Sequence, residues 1–471
     1  QEKSIVVLPF ENISPDPEQE YFSDGLTEEI IADLSHIHNL RVISRTSAMM
    51  LKGTKKDMKT IGRELNVKYV LEGSVRKAGN NLRITAQLID ATNDAHIWAE
   101  KYSGTLDDVF DIQEKVSRSI ADALKLKLTT KENKVLSERP LTDDHAYDCY
   151  LRARQEMNTF TEDGLERALT NLHNGLNIIG ENALLYGGIG SVYCNYYELG
   201  IKADEETLRN AEEYAFKVLK LEPNSAISYN LLGRIERFRG SSSNAIKNFK
   251  RALEIDPNDY ETLLWLGITY FGQAGKVTAA ESLIKRLFEI DPLAPSTHLA
   301  LGFVHWMKGE LDRALTSFNQ MLELEPENIH PNFWSAYVLA WKKQYNDVYN
   351  LIDQMAKKES PDQMHKIFTG WLLFFKHALK GEREKALEML TDDAKNYFWN
   401  DPDLPWIGAC NYALIDEKEE ALNWLEHAIN KGWINYPLFN EIDPLLENIR
   451  GEERFKKLME QIKHEWEHFE V

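Results

Sequence analysis

The chain closes on His464-Glu465-Trp466-Glu467-His468. On a helix this spacing sets two imidazoles one turn apart with a carboxylate between them, as in a zinc-dependent hydrolase that holds its metal and positions a general base. Such a site also needs a third ligand and a walled cleft, and only Phe469, Glu470 and Val471 follow. The segment therefore reads as a charged terminal helix whose histidines face water, with a metalloenzyme kept as a third function to be tested by metal content. His36 and His38 have no other ligand type nearby and read as surface residues. Gly272-Gln-Ala-Gly275-Lys276 has the look of a phosphate loop, but that pattern requires Gly at Tyr270 and Ser or Thr at Val277. Tyr186-Gly-Gly-Ile-Gly190 lacks dinucleotide spacing, and its glycines suit helix packing. Cys149, Cys194 and Cys410 form no C-x-x-C pair and read as small core residues. No catalytic residue, metal or cofactor is assigned.

One charged cluster stands out: Arg41, Arg45, Lys52, Lys55, Lys56, Lys59 and Arg63, with Asp57 the one acid among them. It is either a solvated loop and helix face or a docking patch for an acidic repeat region, an upstream domain or another anionic surface. The chain as a whole carries −20 over 471 residues. Residues 1–140 hold 20 basic and 22 acidic side chains, and the remainder 35 and 53. So acidic a remainder repels nucleic acid phosphates, which argues against a nucleic-acid partner. The longest apolar run, near Gly370–Phe375, is far too short to enter a membrane. No signal peptide is visible and the chain opens on Gln1, as a processed or excised fragment would.

The elements that must position these residues are set by a rhythm. Pro223, Pro257, Pro292 and Pro326 close the phrases Leu-Glu-Pro, Ile-Asp-Pro, Ile-Asp-Pro and Leu-Glu-Pro at intervals of 34, 35 and 34 residues. Between them the same offsets recur: Tyr229, Leu232 and Gly233 before Ala245, Phe249 and Ala252; Leu266, Gly267 and Tyr270 before Ala280, Ile284 and Leu287; Leu301 and Gly302 before Ala314 and Phe318. Small residues let two helices approach, large ones fill the gap, and proline stops the second helix. This order resembles the tetratricopeptide repeat (TPR) family. Poorer matches extend the array upstream to Ala146, with a lengthened turn near residues 200–207. Downstream they run through Trp334, Phe374 and Trp406. A capping helix is expected over Glu452–Phe469.

In TPR proteins the first helix of each pair lines an inner, concave face. By that resemblance the candidate partner-binding groove comprises Asn230, Arg234, Arg237, Leu264, Ile268, Phe271, Leu299, Phe303 and Trp306. The Lys/Asn constellation that clamps a peptide's terminal carboxylate in some TPR adaptors is absent. The middle of the face is apolar and aromatic, which suits a helix or extended segment with apolar anchors, or burial against the chain itself. Polar substitutions at Leu264, Phe303 and Trp306 are expected to abolish partner capture and leave folding intact.

Residues before the array show strand periods. Ser4–Phe10 is a buried-strand run, a helix spans about 18–35, and Leu40–Ser44 is a second strand. After a helical stripe over Met58–Leu65 come strands at Val67–Val75, Leu82–Leu88 and His96–Tyr102, and an amphipathic helix over Val109–Leu128. An antiparallel meander with helices on one face is expected. The phrases Val7-Leu-Pro-Phe-Glu-Asn12, Tyr21-Phe-Ser-Asp-Gly-Leu-Thr-Glu-Glu29, Val42-Ile-Ser-Arg-Thr-Ser47 and Tyr69-Val-Leu-Glu-Gly-Ser-Val-Arg76 resemble the TolB-amino-terminal-like (FlgO-like) domain. That family joins this domain to TPR repeats behind a serine/threonine kinase, a class III adenylate or guanylate cyclase, or a winged-helix regulator. The phrase Asp443–Phe455 resembles the ends of kinase-linked members most.

The fold class expected is thus an α/β domain with a mixed or antiparallel sheet (1–138), an all-α TPR solenoid of about seven to eight degenerate repeats (139–450) and a capping helix (451–471). The resemblance implies a non-catalytic sensor or scaffold region of a bacterial signalling protein. Its partner is a protein or peptide, or its own upstream signalling domain. A self-standing envelope scaffold is the alternative. The compartment would be extracytoplasmic behind a membrane-anchored kinase and cytoplasmic otherwise.

Overall fold

Ile5, Val6 and Val7 are consecutive, apolar and wholly buried, so their strand must be covered on both faces. In the computed structural model that strand, β1 (Lys3–Val7), lies between β3 (Leu40–Val42) and β4 (Tyr69–Ala78), parallel to both. The sheet continues antiparallel through β5 (Asn81–Asp90) to β6 (Ala95–Thr105). The short β2 (Glu11–Asn12) pairs with β4. The sheet is therefore mixed, and the expected meander is its β4–β6 portion. Gly79 takes φ +60° in the two-residue turn that sets Ala78 opposite Asn81. The structure describes residues 3–138, 140–358, 360 and 362–471; the first two residues and the expected boundary residue Arg139 lie outside them.

Helices α1 (Glu20–Ser35) and α4 (Val109–Ala123) pack on each other and on the sheet, with α2 (Arg45–Met49) and α3 (Met58–Glu64) between them in the chain. Val109, Ile112, Val116 and Ile120 of α4 are buried at helical spacing. The helix ends short of Leu128 because Lys125 turns to φ +53°. The opposite face of the β4–β5 hairpin stays polar, with Glu72, Ser74, Thr85 and Gln87 lining an open hollow of about 810 Å³.

After α5 (Thr130–Ser137), which packs on α4, helices follow in pairs: α6 (Asp144–Met157) with α7 (Glu162–Ile179), α8 (Ala183–Glu198) with α9 (Glu205–Leu221), α10 (Ala226–Phe238) with α11 (Ser242–Ile255), α12 (Tyr260–Phe271) with α13 (Val277–Ile290), and α14 (Pro295–Met307) with α15 (Leu311–Leu324). Then come α16 (His330–Trp341), α17 (Tyr345–Lys357), α18 (Gln363–Leu379), α19 (Arg383–Met389), α20 (Asp392–Asn400), α21 (Pro405–Leu414), α22 (Lys418–Asn430) and α23 (Glu453–Glu467). The lengthening expected near residues 200–207 is shared: the α8–α9 turn is residues 199–204, and α8 and α9, at 16 and 17 residues, are longer than α10 and α11 at 13 and 14. The chain divides into two compact units. The first holds residues 1–231, 252–260 and 287–294, and the second the rest.

Within the first unit one hydrophobic core runs without a break from Ile5 to Tyr196, so the sheet and helices α6–α8 share an interior. A Cβ on Gly25 of α1 would stand 2.6 Å from Leu151 of α6. The seam also carries charge. Glu28 is buried and pairs with both Arg45 and Arg154, the latter at 2.7 Å. One position on, Glu29 is half-buried, as is Asp33, which accepts from Ser117 Oγ at 3.3 Å. Burial pushes both carboxyls up to about 7. In the unfolded chain they ionise near pH ~4. Between there and about 7 the folded state binds more protons, so stability falls as pH rises through that window. Glu29→Gln is expected to raise the melting temperature more at pH 8 than at pH 5. Equal shifts at the two pH values would contradict it.

Candidate functional site

The inner-face residues of the second unit are set by three glycine seats. A Cβ on Gly233 would lie 2.5 Å from Phe249, on Gly267 2.6 Å from Ile284, and on Gly302 2.3 Å from Phe318. Each glycine lets the second helix of its pair press an apolar side chain against the first. That contact turns the remaining faces of α10, α12 and α14 inward. These helix pairs, spaced by the recurring prolines, are tetratricopeptide repeats.

On that inner face the candidate residues divide. Asn230 of the first unit is buried. Of the second unit's candidates, Arg234, Arg237, Phe271 and Trp306 are buried, while Leu264, Ile268, Leu299 and Phe303 are half-buried. The aromatic members form one column. Phe303 stacks on Phe271 at 5.4 Å and on Trp306 at 5.8 Å, and meets Trp334 edge-on at 4.7 Å. Trp306 also touches Trp341 and Trp406, and Trp406 stacks on Trp433. The chain's own later helices thus cover the aromatic end, whereas Leu264 and Ile268 keep partial exposure. Sequence reasoning could place Trp306 on the inner face by repeat position, but not the Trp406 that meets it from a hundred residues later, itself stacked on Trp433.

At the other end of the face lie two arginines. Arg234 and Arg237, one turn apart, flank the Trp265 ring at 5.4 and 5.1 Å. Arg234 Nη1 donates to Glu261 at 3.1 Å. Arg237 Nη2 donates to both carboxylate oxygens of Asp403 at 2.6 Å.

The glycine pattern at residues 272–276 proves to be a structural cradle. Ile434 N donates to Gln273 O at 2.9 Å, and Asn435 Nδ2 donates to Gly272 O at 2.9 Å. Gly275 takes φ +63°, and a Cβ there would strike Asn435 Oδ1 at 2.4 Å. Lys276 Nζ donates to Trp466 O at 2.7 Å and lies 4.3 Å from that indole ring. Gly240 and Gly432, both at positive φ, pass so close that a Cβ on Gly432 would meet Gly240 O at 2.5 Å. The carboxy-terminal segment is thereby tied to the turns of the repeats.

The basic cluster also divides. Arg41 Nη1 donates to Glu289 O at 2.8 Å, Arg45 pairs with Glu28, and Lys52 reaches Glu20 and Asp24. Lys55, Lys56, Lys59 and Arg63 stay exposed, with Lys56 on Glu64 at 2.6 Å. Beside Arg41 lies a contact that the sequence did not suggest. Asp291, the acid of one Ile-Asp-Pro phrase, is buried and accepts from Ser44 Oγ, from Ser47 N at 3.0 Å and from Ser47 Oγ at 2.6 Å. Ser47 Oγ accepts in turn from Leu293 N at 2.8 Å, and Ser44 N donates to Ile290 O at 2.7 Å. Asp291 thus caps the short helix α2 from a distant part of the chain.

His464 and His468 are exposed, with ring centroids 4.3 Å apart. Among the described residues, the set of three metal-type ligands brought within 4.8 Å of one another is Asp143, Asp144 and His145, all near the surface and adjacent in sequence. Cys194 and Cys410 are buried and Cys149 is half-buried, all three as free thiols. No helix among the described residues is long and apolar enough to cross a membrane.

Comparison with known proteins adds relatives to this class. Residues 1–123 match the family model of the HilA/YgeH-like transcriptional regulator second domain, and residues 233–273 match a TPR repeat model. The chain is 48% identical over 175 residues to the putative adenylate cyclase 3 of Rhizobium meliloti, covering 37% of this chain and 30% of that protein. It is 22% identical over 240 residues to the transcriptional regulator HilA of Salmonella typhimurium, covering 51% and 36%. The chain spans about a third of the length of these curated relatives. Among solved structures, a tetratricopeptide repeat protein from Parabacteroides merdae is 14% identical at a TM-score of 0.39, covering 61% of this chain and 100% of that one. Residues 1–123 are thus similar to the HilA/YgeH-like second domain, and TPR repeats follow them.

Proposed function

We propose that this chain is the non-catalytic sensor or scaffold region of a bacterial signalling protein, whose output domain is supplied by other residues. The α/β domain is read as a member of the TolB-amino-terminal-like group, and the inner face of the repeats is read as the surface that takes a protein or peptide. The observation that carries this reading is the apolar pair Leu264 and Ile268, half-buried on the face where Phe271 and Trp306 are fully covered. The relatives' names support an output in cyclic-nucleotide synthesis or transcription. Peptides selected from a displayed library on the intact chain should lose at least tenfold affinity to Leu264→Asp/Ile268→Asp, with the melting temperature unchanged. Selected peptides that bind this variant as well as the parent would place capture elsewhere.

A further inference from the structure

The inner face carries buried hydrogen-bond donors that lack an acceptor. Arg237 is 1% exposed, yet its Nε and Nη1 have no hydrogen-bond partner. A buried guanidinium ordinarily fills all its donors, because each one left dry loses its water without replacement. The carboxylate hydrogen-bonded to it, Asp403, presents both oxygens to the single nitrogen Nη2, and the buried Asp401 lies close enough to interact with the same guanidinium. A carboxylate free to orient itself would instead fork across two nitrogens, the stronger geometry. Asp403 is held to the weaker one by its turn. Asp401 Oδ1 accepts from Asp403 N at 2.7 Å and Leu404 N at 3.0 Å, which fixes the backbone from which Asp403 reaches. The two acceptors Asp403 and Glu261 are 36% and 43% exposed, while Arg237 and Arg234 are each 1% exposed.

We infer that Arg237, with Arg234 beside it, is the recognition point for a carboxylate of an acidic partner segment, and that Asp403 holds this point in cis as a replaceable stand-in. The occupant is an extended peptide with an Asp or Glu followed by an apolar residue. The acid replaces Asp403 on Arg237, and the apolar side chain lies toward Leu264 and Ile268. The segment that now fills the point selects it: Asp403, the acid on Arg237, is followed directly by the apolar Leu404. Asp403, released, turns to water. This inference rests on the inner face being the capture surface, and it adds that the surface is self-occupied until an acidic segment competes.

The probe is a fluorescein-labelled peptide Asn-Asp-Pro-Asp-Leu-Pro-Trp, which copies residues 400–406, with a control in which both acids are Asn. Fluorescence anisotropy on the intact chain should show weak binding to the parent and at least tenfold tighter binding to Asp403→Asn and Asp403→Ala. The control should bind neither variant, and Arg237→Gln added to Asp403→Asn should return the probe to the parent's level. Asp403→Ala should melt lower than the parent and recover on adding the probe, so a destabilised variant still reports. Equal binding by parent and Asp403 variants, or equal binding of probe and control, overturns the inference. If library peptides respond to Leu264→Asp/Ile268→Asp but the probe is indifferent to Asp403, the anion site alone fails. If the library peptides do not respond, the inner-face reading fails first.

Discussion

Asp291→Ala should cost the first unit about 3 kcal/mol, because it strips one acceptor from three buried donors at once. Ser44 Oγ, Ser47 N and Ser47 Oγ all point at that carboxylate, and no solvent reaches it. Helix α2 is five residues long and owes its amino-terminal cap to this acid and to Ser44. The loss should therefore appear locally as well as globally. Hydrogen exchange at residues 45–51 should accelerate by about two orders of magnitude, in line with that energy, while the helices of the second unit keep their protection. Asp291→Asn retains an acceptor and should lose roughly half as much. An alanine variant that melts within a degree of the parent, with unchanged exchange over α2, would show that the contact is incidental.

Trp306→Ala should cost the second unit about 3–5 kcal/mol. The indole is wholly buried and touches Phe303, Trp334, Trp341 and Trp406, so truncation opens a cavity where four rings meet. A polar residue there cannot be the silent change expected from its inner-face position in the repeat, since later helices have closed over it. Phe303, half-buried but in contact with four rings, should fall between Trp306 and Leu264 in cost. The check is thermal unfolding followed by near-ultraviolet circular dichroism, which reports the packed rings. A Trp306→Ala protein that keeps both the aromatic signal and the parent's melting temperature would refute the assignment of this residue to the interior.

What the sequence made legible follows from how local each determinant is. Glycine seats, prolines and helical stripes act within about 34 residues, so α10–α15 could be placed from spacing alone, as could the β4–β5 turn at Gly79. The parallel placement of β1 between β3 and β4 was not legible, because it depends on partners 37 and 64 residues away and on no turn chemistry. Helix α20 was missed because Asp392–Asn400 has too few turns to show a stripe. The division of the inner face into a sealed aromatic end and an open apolar part was hidden for the same reason of distance. Nothing in the repeat spacing announces that Trp406, backed by Trp433, returns to cover Trp306. The basic cluster read as one patch because its members are close in sequence, yet Arg41, Arg45 and Lys52 turn to partners within the chain while Lys55, Lys59 and Arg63 stay exposed.

The Ile-Asp-Pro phrase at residues 290–292 does two things: it ends a helix, and it delivers Asp291 to Ser44 and Ser47. A solenoid normally tolerates gain or loss of whole modules, since each meets only its neighbours. Here that tolerance is withdrawn. Duplicating or deleting one helix pair between Leu141 and Ile290 would carry Asp291 away from its serines by a full module. A similar change between Gly275 and Asn435 would part the cradle from the segment it receives. The array therefore behaves as a ruler of fixed length, and variation in its lineage should come as substitutions and loop insertions, never as a changed number of repeats within those spans.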